Sequence, residues 1–267
     1  MPSHKSPDEK SVALITGASR GIGLELAKEC ARHGHDVVLV ARHQDALEAA
    51  AGLIEGKYNV RAIVVRADLS DPAAPSEIFA AMIAQQIEVH MLINNAGFGL
   101  GGEFLETDLE REVDMIQVNV TALTRLTKLF LPPMVKRRSG RVMNVASTAA
   151  FQPGPLMAVY YATKAYVLSF SEAIAEELRN TGVTVTALCP GATATGFAET
   201  AQISNTRLFQ KLGVANPVDV ARYGYKAMMR GDRVAIPGWR DKLMIQSERF
   251  APRTLVTAIA RKVQESR

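Results

Sequence analysis

Short apolar runs alternate along the chain with longer stretches in which apolar residues recur every three or four positions. Runs of about four to eight residues rich in Val, Ile and Leu predict strands. They lie at residues 12–16, 36–41, 61–66, 89–94, 141–147, 184–189 and 233–237. Most are continuously apolar rather than alternating, which is typical of strands covered by helices on both faces. The sheet is therefore expected to be parallel.

Helical periodicity fills the segments between these runs, at residues 21–33, 44–55, 75–87, 108–130, 156–180 and 217–229. In the first of them Leu24, Ala27 and Ala31 share one face, and Gly34 follows as a stop signal. The regular alternation predicts a single α/β domain with a Rossmann-type, doubly wound parallel sheet of about seven strands and helices on both faces. Ligands of such sheets bind outside the carboxyl ends of the strands.

The two ends of the chain depart from this pattern. Residues 1–10 are polar and are interpreted as a flexible lead-in to a catalytic domain at 11–238. They lack the apolar stretch of a secretory signal, and no run of about 18 apolar residues predicts a membrane span. Residues 239–267 read as a basic helical extension of two short amphipathic helices split by Pro252. Such a segment predicts pocket cover or a subunit contact, with weak contact to an acidic membrane surface as an alternative.

Charge and cysteine content exclude several classes of protein. The 267 residues include 31 Lys and Arg against 27 Asp and Glu, a net charge of +4 that is too small to indicate a nucleic-acid-binding protein. Seven of the basic and three of the acidic residues fall within 239–267, so the whole excess lies in that extension. Cys30 and Cys189 stand far apart, so neither a disulfide framework nor a zinc site is encoded. A reducing, cytoplasmic location is expected.

A glycine-rich turn joins the first predicted strand to the first helix. Gly17, Gly21 and Gly23 allow the backbone to turn tightly and approach a ligand, and free amides at a helix start attract a pyrophosphate. The spacing differs from the Gly-x-Gly-x-x-Gly dinucleotide fingerprint. That fingerprint occurs at residues 97–102, but no predicted helix begins on it, so we interpret it as a loop over the ligand edge of the sheet.

The same turn also spells the Gly-x-Ser-x-Gly nucleophile elbow of α/β-hydrolases, with Ser19 in the nucleophile position. In that fold the catalytic histidine follows the serine and the acid along the chain. The last histidine of this sequence is His90, at the start of a predicted strand and therefore at the wrong end of the sheet. A hydrolase is a minor alternative.

A second group of polar residues lies in the middle of the chain. Tyr160 and Lys164 are four residues apart in a predicted helix and share one face. A nearby ammonium favours the phenolate, so Tyr160 is a candidate proton donor to a carbonyl oxygen. Ser147 ends the preceding strand, where its hydroxyl can bind a substrate oxygen, and Asn119 interrupts an apolar helical stretch. Asn119 is interpreted equally well as a core residue that caps a backbone group.

In this order and spacing, the glycine turn, Asn94-Asn95-Ala96-Gly97, Asn119, Ser147, Tyr160-x-x-x-Lys164 and Pro190-Gly191 resemble the short-chain dehydrogenase/reductase family over about residues 11–237. Residues 149–182 further resemble the bacterial branch of 3-ketoacyl and 17β-hydroxysteroid reductases. The resemblance implies that Tyr160 is the acid/base, Lys164 binds the nicotinamide ribose and tunes Tyr160, Ser147 holds the substrate oxygen, and Asn119 supports a water in a proton relay. It leaves Tyr161 as a bystander.

The resemblance also implies a cofactor site along the carboxyl edge of the sheet. Its members are Gly17, Ser19, Arg20, Gly21, Ile22, Gly23, Arg42, Asp68, Leu69, Asn95, Ala96, Gly97, Tyr160, Lys164, Pro190, Gly191, Thr193 and Thr195. Residues 94–97 are expected against the adenosine part. The acid that bonds an NAD ribose at the end of the second strand is replaced by Arg42, which with Arg20 suits a 2′-phosphate. NADP(H) is therefore the expected cofactor.

The predicted activity is the interconversion of a carbonyl and a secondary alcohol. A mobile lid is expected at residues 192–214, and its apolar members indicate a partly apolar substrate: Phe197, Ile203, Leu208, Phe209 and Leu212. A regulatory protein that binds NADP(H) without turnover stays open as an alternative, although a protein that only binds has no need for a proton donor. The family resemblance implies a homodimer or homotetramer formed through the helices at 108–130 and 156–180.

Overall fold

The computed structural model describes residues 10–201, 203, 214–248 and 250–265. Within them the chain builds one sheet of seven parallel strands, in the order β3-β2-β1-β4-β5-β6-β7. The strands are β1 Val12–Thr16, β2 Asp36–Ala41, β3 Ala62–Arg66, β4 Val89–Asn94, β5 Gly140–Val145, β6 Val183–Leu188 and β7 Val234–Ala235. The chain reverses its winding direction between β1 and β4, which opens a crevice at the carboxyl edge. The predicted fold class is confirmed.

Ten α-helices occur in the described residues. They are α1 Gly21–Arg32, α2 Gln44–Lys57, α3 Ala74–Ala84, α4 Leu109–Ile116, α5 Leu123–Lys136, α6 Ala158–Glu177, α7 Phe197–Thr200, α8 Pro217–Arg230, α9 Trp239–Glu248 and α10 Arg253–Gln264. A 3₁₀ turn, Thr148–Phe151, follows β5. None of these helices is both long and apolar enough to cross a bilayer. The predicted split of the C-terminal extension at Pro252 matches α9 and α10.

Successive side chains of the strands point to opposite faces of the sheet and pack in two hydrophobic cores. Ala13 and Ile15 of β1 face the layer of α1, α2 and α8, whereas Val12 and Leu14 face the layer of α3, α5 and α6. This explains why the strand sequences are continuously apolar. Each fully buried Leu or Ile contributes about 1.5–3 kcal/mol, so the sheet is held from both sides.

One predicted helix has a different form in the structure. The stretch predicted as a single helix at 108–130 consists of α4, a π-helical turn Gln117–Ala122 and α5. The helix also continues to Lys136 through Pro132 and Pro133. Both prolines are exposed, as is Lys128, whose carbonyl Pro132 leaves without its helical partner, and buried Met134 packs the last turn against the core.

The two cysteines are unpaired and buried on separate elements. Burial raises the pKa of each thiol to about 12, and the charge of Glu29 adds to this for Cys30. Because the thiolate is the reactive form, we expect the folded protein to resist a disulfide reagent at neutral pH. Both thiols should react once the chain is unfolded in guanidinium. The labelling is monitored by absorbance, and rapid reaction of the native protein would contradict the expectation that both thiols are protected.

Candidate active site

The turn between β1 and α1 has the backbone conformation that glycine permits. Gly17 has φ +66° and Gly21 has φ +58°, in the left-handed region that other residues avoid. A methyl group on Gly23 would lie 2.3 Å from the carbonyl oxygen of Gly17. The three glycines therefore serve separate purposes, two for the path of the turn and one for the close approach of α1.

The loop after β4 is bonded to this turn. The Thr16 hydroxyl accepts the backbone amides of Asn95 and Ala96, each at 3.0 Å, and the Asn95 amide group donates to the Thr16 carbonyl at 2.9 Å. Asn94 points elsewhere: it is buried and donates to Thr127 at 3.0 Å and Asn144 at 2.9 Å. Of residues 94–97, the last three line the ligand edge, and the Asn94 side chain belongs to the core.

Tyr160 and Ser147 meet where β5 ends and α6 begins. Ser147 caps the 3₁₀ turn by accepting the amide of Ala149 at 3.1 Å, which fixes its hydroxyl at the carboxyl edge of the sheet. Burial raises the pKa of Tyr160 above the ordinary value of a phenol, and a hydrogen bond with Ser147 acts in the opposite direction. The lowering expected from Lys164 is not among these effects, and burial dominates because the phenol lies in a dry environment. Tyr160 keeps its proton.

Lys164 lies deeper on the same face of α6. Its ammonium donates to the backbone carbonyl of Val145 at 2.8 Å and stands 5.8 Å from the centre of the Tyr160 ring. Burial lowers the pKa of Lys164 to about 8, partly offset by the Cys189 thiol. The site therefore holds a cation that can lose its charge in the slightly alkaline range.

Asn119 has a bridging role that its position in the π-helical turn makes possible. Its amide oxygen accepts the backbone amide of Phe98 at 3.1 Å, and its amide nitrogen donates to the Phe98 carbonyl at 2.9 Å and to the Thr163 hydroxyl at 3.1 Å. Asn119 thus ties the loop after β4 to the helix that carries Tyr160. These contacts match the interpretation of Asn119 as a residue that caps backbone groups.

These elements surround one cavity of about 890 Å³. Of the site residues that the sequence predicts, all but Gly23 and Asn119 line it. The glycine turn and the Tyr160 group therefore share one space, which is large enough for a dinucleotide and a further small molecule.

The basic residues of the cavity differ in their surroundings. Arg20 reaches across to α7 and donates to the Thr200 hydroxyl at 3.3 Å. Arg42 is exposed at the end of β2, and Arg66 of the neighbouring strand donates to its backbone carbonyl at 3.3 Å. Arg66, which the sequence did not single out, lies beside Arg42 because the two residues stand at the ends of neighbouring parallel strands, although Arg66 does not line the cavity.

The predicted lid is described only in part. Its base is closed by the Thr193–Ala215 bridge. Phe197 lies with its ring centre 5.2 Å from that of Tyr160, and buried Ile203 lines the cavity. Leu208, Phe209 and Leu212 lie outside the described residues. Apolar side chains therefore surround the phenol from the lid side.

The C-terminal extension forms another wall of the cavity. Residues of α9 and α10 line it, among them Glu248, Val256 and Gln264. Gln264 donates to the Tyr161 hydroxyl at 2.6 Å, and Arg261 lies 3.6 Å from Glu103 of the loop after β4. Tyr161, to which the resemblance gives no role, therefore lines the cavity and bonds to the extension. The amphipathic pattern indicated cover in general, but nothing in the sequence identified these particular contacts.

Comparison with known proteins finds relatives among oxidoreductases. The chain is 36% identical over 177 residues to a very-long-chain 3-oxoacyl-CoA reductase of Coprinopsis cinerea, covering 65% of this chain and 52% of that protein. The chain thus spans about half the length of that relative.

Solved structures match over nearly the whole chain. A short-chain dehydrogenase from Sphingobium yanoikuyae in complex with NADPH is 32% identical, with a TM-score of 0.81 over 90% of this chain and 94% of that one. A bulky-bulky ketone specific alcohol dehydrogenase from Comamonas testosteroni is 29% identical, with a TM-score of 0.77 over 90% and 92%.

A family model described as short chain dehydrogenase matches residues 11–205. This span includes the glycine turn, Ser147, Tyr160 and Lys164, and it favours a dinucleotide site at the turn over a nucleophile elbow at Ser19. Because the match covers most of the chain and the fold agrees throughout, the protein belongs to the short-chain dehydrogenase family of oxidoreductases.

Proposed function

We propose that the protein is an NADP(H)-dependent oxidoreductase that interconverts a ketone and a secondary alcohol, with Tyr160 as the proton donor and acceptor. The observation that carries this proposal is the single cavity that joins the glycine turn to Tyr160, Ser147 and Lys164. A protein that only binds a nucleotide has no use for a buried phenol held beside a serine and a lysine.

The residues present fit a dinucleotide phosphate. The glycine turn forms a cradle that added methyl groups would fill, and the amides at the start of α1 suit a pyrophosphate. Arg42 stands where an NAD-binding protein has an acid, and Arg20 lines the same cavity. The NADPH named in the Sphingobium relative supports this choice. Lys164 would hold the nicotinamide ribose, with residues 190–195 beside it.

When bound, NADPH supplies the hydride for reduction. The chain then has to place the carbonyl and deliver a proton to its oxygen. Ser147 is fixed at the edge of the sheet, where its hydroxyl can orient that oxygen, and Tyr160 keeps its proton until the oxygen becomes basic. The Lys164 ammonium stabilises the phenolate left behind. Asn119 holds the loop and the helix of the site at a fixed separation and would support a water in the proton relay.

The substrate we propose is a bulky, partly apolar ketone. Phe197, Ile203 and Val256 face the cavity, so much of the substrate surface would be apolar. The names of the relatives, an acyl-CoA reductase and a dehydrogenase of bulky ketones, point the same way. The test is consumption of NADPH by the purified protein with a panel of bulky ketones, followed by absorbance. Tight NADPH binding with no turnover of any panel member would favour the regulatory alternative.

The choice of cofactor is tested by Arg42→Asp. We expect the preference for NADPH over NADH, as the ratio of kcat/KM values, to fall about 10- to 100-fold, because a phosphate loses a guanidinium and meets a carboxylate. Arg222→Asp, at an exposed position of α8, is the matched control and should leave the ratio unchanged. If Arg42→Asp keeps the same ratio of kcat/KM for NADPH to kcat/KM for NADH as the unaltered protein, the assignment of Arg42 to the 2′-phosphate is wrong.

We also propose a homo-oligomer located in the cytoplasm. Leu109, Val113 and Ile116 of α4 and Tyr166 of α6 are exposed, which leaves an apolar face on the helices expected to form the subunit contact. The other partner is the small-molecule substrate itself.

A further inference from the structure

A polar cluster lies in the cavity wall formed by the C-terminal extension. It consists of Tyr161 of α6, Glu248 at the end of α9 and Gln264 at the end of α10. Gln264 is only 4% exposed, and its amide nitrogen donates to the Tyr161 hydroxyl at 2.6 Å. Burial raises the pKa of Tyr161, and the charge of nearby Glu248 adds to it. Tyr161 and Gln264 thus form a bonded pair, and Glu248 lines the same cavity.

Two acceptor atoms of this cluster lack a donor. Gln264 Oε1 and Glu248 Oε2 are buried, and neither has a hydrogen-bond partner within the described part of the chain. Buried side-chain oxygens are nearly always paired in folded proteins, because each has given up its bonds to water. Unpaired acceptors in a cavity wall therefore point to a ligand that donates.

The third member of the cluster narrows the kind of ligand. The Tyr161 oxygen accepts from Gln264, so its own proton is available to an acceptor. A hydroxyl group can donate to an acceptor of the cluster and accept from the phenol at the same time. An ammonium group could only donate and would leave the Tyr161 proton without a partner. A hydroxyl uses both kinds of group that the cluster offers, an acceptor and the phenol proton, and leaves the second acceptor to a further donor such as a water molecule or a second hydroxyl.

The cluster lies beside the proposed reaction centre but does not coincide with it. The Tyr160 and Tyr161 rings are 6.1 Å apart between centres and nearly perpendicular. Consecutive helical residues point about 100° apart, so the two phenols can address different parts of one molecule. Apolar Phe197 and Met157 contact the region around Tyr160.

We propose that Tyr161, Glu248 and Gln264 form a subsite that binds a hydroxyl group of the substrate at a distance from the carbonyl that is reduced. This inference rests on the proposed function of Tyr160. It assigns the substrate to the hydroxyketones, or to the diols in the direction of oxidation, and it makes the C-terminal extension a determinant of specificity.

The test uses straight-chain methyl ketones of increasing length, each with a terminal hydroxyl and with a terminal methyl group. For every pair, kcat/KM is measured with NADPH, and binding to the NADPH complex is measured by calorimetry. We expect the hydroxyl member to be favoured about tenfold or more at the length that reaches the cluster. Gln264→Leu and Tyr161→Phe should abolish this preference. Gln246→Leu, an exposed position on α9, is the matched control and should retain it.

The outcomes separate the two proposals. Turnover without a hydroxyl preference at any length, or a preference that survives in both variants, overturns the subsite. Hydroxyl-dependent binding, with no turnover of these ketones or of the bulky ketones named under the proposed function, supports the subsite and overturns the proposed function. Thermal melting of each variant identifies a loss of folding. If Gln264→Leu does not fold, Tyr161→Phe still tests the subsite, because it removes a single oxygen.

Discussion

Tyr160→Phe is expected to lower kcat for ketone reduction by about 10²- to 10⁴-fold, the usual contribution of a positioned general acid. The change removes one oxygen and leaves the ring that packs against Phe197, so the cavity should keep its shape. KM and the affinity for NADPH should change little, because the lost proton transfer belongs to the transition state. Steady-state kinetics and a binding titration give both numbers.

Tyr223→Phe is the matched control for this experiment. It loses the same oxygen but lies on α8, does not line the cavity, and has its ring beneath the Lys242 ammonium. It should retain normal kinetics. Activity in Tyr160→Phe close to that of the control would remove Tyr160 from its proposed role and leave the proton donor to be sought elsewhere in the cavity.

Lys164→Met is expected to lower kcat by about 10²- to 10³-fold, because a buried cation that stabilises developing negative charge is worth that much. The effect should depend on pH. Burial lowers the Lys164 pKa to about 8, so the ammonium is present below that pH and is lost as the pH rises through it. The rate of reduction by the unaltered protein should therefore fall above about pH 8.

The variant should lack this fall, because methionine has no charge to lose. Lys226→Met, at an exposed position of α8, should keep the profile of the unaltered protein. A decline above pH 8 that persists in Lys164→Met would show that another group titrates there. Comparing kcat over the pH range for the three proteins decides between these results.

The alternation of strand and helix could be predicted from the sequence because each strand is apolar on both faces and each helix is apolar on the face that packs against the sheet. Strands such as Val12–Thr16 are buried throughout, so their sequences are continuously apolar. Element ends were less predictable. The helix predicted to end at 130 runs on through two prolines, because their effect depends on whether the affected carbonyls face water or protein.

The candidate site also has features that local sequence predicts and features that it does not. The glycine turn, Tyr160 and Lys164 stand in local spacings that carry their geometry with them, so sequence could place them. The pairing of Tyr161 with Gln264 joins residues 103 positions apart, and no local pattern encodes it. The pKa of Tyr160 was also misjudged, because a neighbouring lysine is visible in the sequence but the depth of burial is not.

The π-helical turn at Gln117–Ala122 has a consequence for how this site can change. A π turn takes in one residue more than an α-helix, so it rotates everything beyond it by about 100°. Before the turn, Met115 packs beside Tyr160, and after it, Leu126 packs against the sheet. One inserted residue thus sets the direction of the α4 face beside Tyr160 independently of the α5 face that packs in the core. Deleting one residue from the turn would rotate the two faces by about 100° relative to each other and turn Met115 away from Tyr160.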